Sequence, residues 1–361
     1  MNSARKALSR SLKLGLMTAT LLAMGPAAFA QPQTAGPPPI DETLSPYVST
    51  ANSIELPDGR MLHFVCMGVG SPTVILSAGL GDFAGAAWST IQPEMAKITR
   101  VCSWDRPGFG LSDGTSAPLD VASTAADLEA ALATGRIPGP YVMIGHSYGA
   151  YESLLFTDRH PDNIVGMVLI DPSIPNQAVL LQQALPGQPV PDPAQNAAVQ
   201  IFLKCAAGIR AGTAKAGGPD PDHCFAYPAN WPPALREALA AKVGDPVQYE
   251  TMASFVTSSA VGSTLVVNPS RNYRDMPMVV LTAGNRLQLP PGAPPLPDEQ
   301  KALLTAADVV ADRGHEQLAA LSTRGVNSRV PGADHYIQRS KPQAVLDAVA
   351  EVVSEARAAS R

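Results

Sequence analysis

Short, unbroken apolar runs alternate with amphipathic stretches along most of this chain. The runs at 73–77 (TVILS), 141–144, 164–170 and 278–282 are dominated by Val, Ile, Leu and Met, as expected of strands buried on both faces, and 98–104 reads as a further strand. Between them, 121–133 and 150–158 carry apolar residues at helical spacing, and 342–356 closes the pattern as an amphipathic helix. The pieces 53–55 and 60–66 flank Pro57-Asp58-Gly59, a turn signal that predicts a hairpin. Strands alternating with helices predict an α/β fold, a mostly parallel twisted sheet flanked by helices. From residue 172 to about 275 the rhythm fails. That stretch is rich in Pro, Ala and Gln and contains a Gly/Pro loop at 217–221. It reads as a cap of short helices inserted after the strand that ends at Asp171, which leaves 51–171 and 276–361 as the core. No internal repeat is visible.

The ends read differently. Arg5, Lys6, Arg10 and Lys13 precede a short apolar segment at 14–24, and Ala28-Phe29-Ala30 fits a small-x-small cleavage site, so 1–30 is expected to be a signal peptide. The apolar segment is well short of the ~20 residues of a membrane span, and stable membrane insertion is not expected. Residues 31–50 are Pro-rich and polar and read as a mobile leader. The protein is therefore expected to be exported, to the periplasm or beyond. Its 361 residues are 45% hydrophobic and 16% charged, with a formal net charge of −5. Loss of four basic residues with the signal would make the chain more acidic, which argues against a nucleic-acid partner. An even number of cysteines, Cys66, Cys102, Cys205 and Cys224, in an exported chain suggests disulfides, with three pairings open. A zinc site from Cys205, His223 and Cys224 lacks regular ligand spacing and a fourth ligand.

The chemistry-bearing stretch is 141–150, YVMIGHSYGA. Gly145-His146-Ser147-Tyr148-Gly149 is G-x-S-x-G, with an expected strand before it and an expected helix after it. In that context the pattern is a tight strand-to-helix turn. Gly145 and Gly149 allow strand and helix to approach, the Ser147 hydroxyl is lifted clear of the backbone, and N–H groups at the helix start face it.

With this stretch, the sequence resembles the α/β-hydrolase superfamily. The resemblance also rests on SWDRPGFGLSD at 103–113, VLIDPS at 168–173 and GADHYIQ at 332–338. It implies the α/β-hydrolase fold, with Ser147 as nucleophile and His335 as its base. For the triad acid it points to Asp171, with Asp298 and Asp308 as later alternatives and Asp334 as a poorer one. It implies oxyanion donors at the Tyr148 N–H and, from Ala78-Gly79-Leu80, at the Leu80 N–H. Asp105 and Arg106 are expected to be structural, fixing a turn. In this family the strands of Cys66 and Cys102 are neighbours, which implies a Cys66–Cys102 bridge and leaves Cys205–Cys224 to staple the cap.

The expected activity is serine hydrolysis of a carboxylic ester, lactone or thioester, acting on a small to medium, mostly apolar molecule, with no cofactor and no catalytic metal. A second reading is an exported aminopeptidase of the proline-iminopeptidase type. A third is a non-enzymatic binding protein on the same scaffold. The sequence does not set the oligomeric state.

Overall fold

The computed structural model describes residues 38–51, 53–188, 192–286 and 295–359. The expected signal peptide, the start of the leader and most of the loop at 287–297 lie outside the described residues. Among the described residues, the main sheet has seven strands: β3 (Phe64–Met67), β4 (Thr73–Ser77), β5 (Val101–Trp104), β6 (Tyr141–His146), β7 (Ile164–Ile170), β8 (Met278–Ala283) and β9 (Gly325–Val330). Their spatial order is β3-β5-β4-β6-β7-β8-β9, with β3 antiparallel to β5 and the other neighbours parallel. A separate hairpin pairs β1 (Ile54–Glu55) with β2 (Met61–Leu62). The run at 60–66 was expected to be one strand. It breaks at His63, whose N–H turns away to the Ser112 hydroxyl at 2.8 Å.

The strands bury both faces by alternation. Val74, Leu76, Val142, Ile144, Val168 and Ile170 face one core, shared with the helices α1 (Ala84–Trp88), α2 (Gln92–Met95) and α11 (Pro342–Ala359). Ile75, Cys102, Met143, Met167 and Leu169 face the other side, where α3 (Val121–Thr134), α4 (Gly149–Arg159) and α9 (Asp298–Ala319) pack. This two-faced burial is what a parallel sheet requires. The remaining helix after β9 is the short α10 (Ile337–Ser340).

Among the described residues, four α-helices lie between β7 and β8: α5 (Gln177–Ala184), α6 (Ala197–Ala211), α7 (Pro233–Val243) and α8 (Pro246–Leu265), with a 3₁₀ turn at Pro193–Gln195. Short helices were expected there, but α8 runs for 20 residues. Its Ser and Thr residues interrupt any clean apolar stripe, so it carries no clear helical period. The leader also differs from expectation in its described part. Glu42–Tyr47 form a 3₁₀ helix that buries Leu44 and Tyr47, three residues apart and so on one side of a 3₁₀ turn. The Tyr47 hydroxyl donates to Gln92 Oε1 at 2.7 Å, and the Asp41 N–H donates to the Asn230 carbonyl.

Two disulfides are present. Cys66–Cys102 joins β3 to β5, whose register pairs those two residues, and Cys205–Cys224 joins α6 to the loop before α7. With both sulfurs in a disulfide, Cys205 and Cys224 are not thiolate ligands for zinc. Among the described residues, no helix is long and apolar enough to cross a membrane.

Candidate active site

The parallel strands all end on one edge of the sheet, and that edge collects the polar residues. Leu80 follows β4, Ser147 follows β6, Asp171 follows β7 and His335 follows β9. Open α/β sheets bind ligands beyond the carboxyl ends of their strands.

Ser147 sits at φ +51°, a left-handed conformation that a residue with a side chain adopts at a cost. The turn is held by the Ser147 N–H on the Ile170 carbonyl and by the Ser173 N–H on the Ser147 carbonyl, each at 3.0 Å. A Cβ at Gly149 would lie 2.1 Å from the Ser77 carbonyl oxygen, and one at Gly145 would lie 2.5 Å from the Gly149 oxygen. The two glycines therefore permit the contact between β4, β6 and the start of α4. Tyr148 caps α4. No turn or loop hydrogen bond among the described residues uses the Tyr148 or Leu80 N–H.

His335 Nδ1 lies 2.7 Å from Asp171 Oδ2. A carboxylate only accepts, so Nδ1 carries a proton and donates it to Asp171. Asp171 is 2% exposed and, like Ser147, has a positive φ, +38°. Its carboxylate also accepts from the Ala283 N–H at 3.0 Å and from Arg286 Nε at 2.9 Å. Burial pushes the Asp171 carboxyl up. The His335 hydrogen bond and charge, with Arg286 and His315, outweigh burial and hold it below its ordinary value.

The alternative acids lie elsewhere. Asp298 is on the surface beside Lys301, Asp308 pairs with Arg286, and Asp334 Oδ1 accepts the Tyr336 N–H within its own turn. Three of the other histidines lie apart too. His63 is buried against Asp105, and His160 is half-exposed near Glu129. His223 is an exposed residue of the loop before α7.

A model of the alpha/beta hydrolase family matches residues 74–348, a span that contains all of this geometry. The chain belongs to the alpha/beta hydrolase family.

Among known alpha/beta hydrolases and other relatives, the matches are partial. The chain is 39% identical over 90 residues to an uncharacterized protein of Schizosaccharomyces pombe, covering 25% of this chain and 17% of that one. It is 34% identical over 115 residues to the 2-hydroxy-6-oxo-2,4-heptadienoate hydrolase of Pseudomonas putida, covering 30% of this chain and 39% of the relative. A solved thermophilic esterase of Thermogutta terrifontis superposes with a TM-score of 0.52 at 17% identity, over 84% of this chain and 98% of its own, a likeness of fold.

Several residues around the site of this alpha/beta hydrolase carried no motif signal. The His146 ring is fully buried, and its Nε2 donates to the His335 backbone carbonyl at 3.0 Å. The two rings lie 4.8 Å apart. His146 thus links the residue before Ser147 to His335. Burial, then the His335 charge, holds its imidazole well below the ordinary value. Its Nδ1 and Asp82 Oδ2 are buried without hydrogen-bond partners among the described residues, and both come within 3.2 Å of where a Gly79 side chain would begin. Burial pushes the Asp82 carboxyl up, against the charges of Arg339, Arg106 and His335. Arg286 ties Asp171 to Asp308 and Asp312 of α9. His315, also on α9, spans Thr282 and the Pro172 carbonyl and lies 4.0 Å from Asp171. These contacts join residues from 22 to 189 positions apart, which periodicity does not reveal. A cavity of about 560 Å³ lined by Phe225, Tyr227, Pro233 and Arg236 lies among the inserted helices and includes none of Ser147, Asp171 and His335.

Proposed function

We propose that this protein is an exported serine hydrolase that cleaves a carboxylic ester, lactone or thioester. The observation that carries the reading is the His335–Asp171 hydrogen bond of 2.7 Å beside the turn of Ser147. In this reading His335 Nε2 takes the Ser147 proton as Oγ attacks the acyl carbonyl, and the imidazolium that forms is stabilised by Asp171. The proton then goes to the leaving alkoxide or, for a thioester, the leaving thiolate. Water, deprotonated by the same imidazole, releases the acid from the acyl-enzyme. The Tyr148 and Leu80 N–H groups hold the oxyanion. Residues 172–275 act as the cap, and their apolar, Pro-rich composition suits a small to medium apolar acyl group. The two disulfides support export into an oxidising compartment, with 1–30 as the signal.

The test is hydrolysis of a chain-length series of p-nitrophenyl esters by residues 31–361, beside Ser147→Ala. Turnover that vanishes in the variant supports the reading, and the chain-length optimum sizes the acyl pocket. Equal inactivity of both proteins would overturn it and move the aminopeptidase and binding-protein readings forward.

A further inference from the structure

The Asp-Arg pair at 105–106 was expected to fix a turn, and Asp105 does so. Its Oδ1 accepts the Ala84 N–H, and its Oδ2 accepts the Leu111 N–H and faces His63 Nδ1. Arg106 does something else. Its side chain is 2% exposed, and the carboxylate it meets, Glu152, is fully buried. Nε donates to Glu152 Oε1 at 2.6 Å and Nη2 to Oε2 at 2.7 Å. The remaining face of the guanidinium does not go to another side chain. Nη1 donates to the Gly79 carbonyl at 2.9 Å and Nη2 to the Ala78 carbonyl at 2.5 Å.

We propose that Arg106 is a positioning residue that aims the Leu80 N–H into the oxyanion hole, an inference that rests on the serine-hydrolase reading above. A trans peptide is planar, and its carbonyl and N–H point in opposite directions. The Gly79 carbonyl and the Leu80 N–H belong to one such unit. Fixing the oxygen on Arg106 therefore turns the N–H away from Arg106. The restraint matters at this position because Gly79 has no Cβ and its peptide rotates at little cost. Pinning the Ala78 carbonyl as well fixes two successive peptide units, which leaves the loop one orientation.

The other end of the pair sets the second donor. Glu152 lies in the first turn of α4, and Tyr148, the cap of that helix, carries the other oxyanion N–H. A single planar guanidinium thus spans both halves of the hole. Thr124 steadies the carboxylate from α3 by donating to Oε1 at 2.8 Å. The guanidinium carbon also lies 5.8 Å from the centre of the Tyr148 ring. Stability alone is a poor reason for such a pair. Desolvation of two buried charges offsets most of their attraction, and well-packed apolar residues do as well or better. A lysine cannot replace it, since an ammonium has no planar fork to hold a carboxylate and two carbonyls at once.

The experiment uses the full chain with Arg106→Lys and Glu152→Gln, kinetics on an ester that the wild type turns over, and active sites titrated with a fluorophosphonate. For Arg106→Lys, kcat per titrated site is expected to fall about 10²-fold, the size of a lost oxyanion donor. KM should change by less than about threefold, and affinity for an aryl boronic acid, which mimics the tetrahedral intermediate, should fall in step with kcat. The Leu80 amide resonance of the ligand-free protein should shift, and its exchange with solvent should quicken. Glu152→Gln keeps the shape of the carboxylate and is expected to show the same signs at about tenfold. It carries the test if Arg106→Lys does not fold. Wild-type kcat per site with an unmoved Leu80 resonance in a folded variant would overturn the proposal, as would a loss confined to KM. If the wild type hydrolyses no ester but the Leu80 amide still responds, the positioning stands and the ester reading falls.

Discussion

At Asp171 a single carboxylate serves His335, the Ala283 N–H and Arg286. Replacing it with Asn keeps an acceptor for the last two and removes the charge that fixes the imidazole tautomer. Asp171→Asn is expected to lower kcat by about 10⁴-fold while the protein stays folded, read by ester kinetics beside circular dichroism. His146 predicts a pH dependence of stability. Its folded imidazole is held well below the ordinary 6.5, so around and below that pH the unfolded chain binds a proton that the folded chain refuses. Stability therefore rises with pH through that window and falls on acidification. His315, lowered chiefly by burial, adds a term of the same sign, and Asp82, raised by burial, adds one of opposite sign. The test is a comparison: urea unfolding of His146→Gln between about pH 5 and 7 should show a flatter dependence than wild type. An equally steep curve would remove His146 as the cause.

At the scale of elements, the contact of β4 with the start of α4 is the tightest constraint on the turn. Gly149→Ala would drive a methyl into the Ser77 carbonyl and is expected to cost about 1–3 kcal/mol or more, read from the urea midpoint. The strands β4, β6, β7 and β8 were legible because each is an apolar run buried on both faces, and Ser147 was legible because G-x-S-x-G sits between such a strand and a helix. The helix α9 was not. It is rich in Asp, Glu, Lys and Arg, Val309 is exposed, and its apolar packing is confined to Val310 near the middle and Leu318 and Ala319 at the end. The missing α9 explains why Arg286 went unread. Its meaning depends on Asp308 and Asp312, and those become neighbours only once that helix exists. The choice of Asp171 rests on a family likeness, and its contact with His335, which Asp298 and Asp308 lack, exists only in three dimensions.

For the molecule as a whole, the disulfides close loops with sequence separations of 36 and 19 residues. Chain-entropy arguments give about 3–4 kcal/mol for each. Full reduction is expected to lower the unfolding midpoint by more than the loss of Cys205–Cys224 alone, measured with and without a phosphine reductant and in a Cys205→Ala/Cys224→Ala variant. Unchanged midpoints would mean that the bridges constrain little. The described part of the leader belongs to the same network, since Asp41 binds Asn230 of the inserted region and Tyr47 enters the main core. Tyr148 ties the inserted helices to the chemistry more closely still. Its backbone supplies a proposed oxyanion donor, while its ring packs on Phe255 of α8 and its hydroxyl lies where a side chain at Gly262 would stand, 2.6 Å from that position. The insertion between β7 and β8 is therefore not an interchangeable module. A graft with a residue larger than glycine at position 262 would push on Tyr148, the residue that follows Ser147. Any exchange of the insertion is then expected to have to keep a glycine under that one aromatic ring.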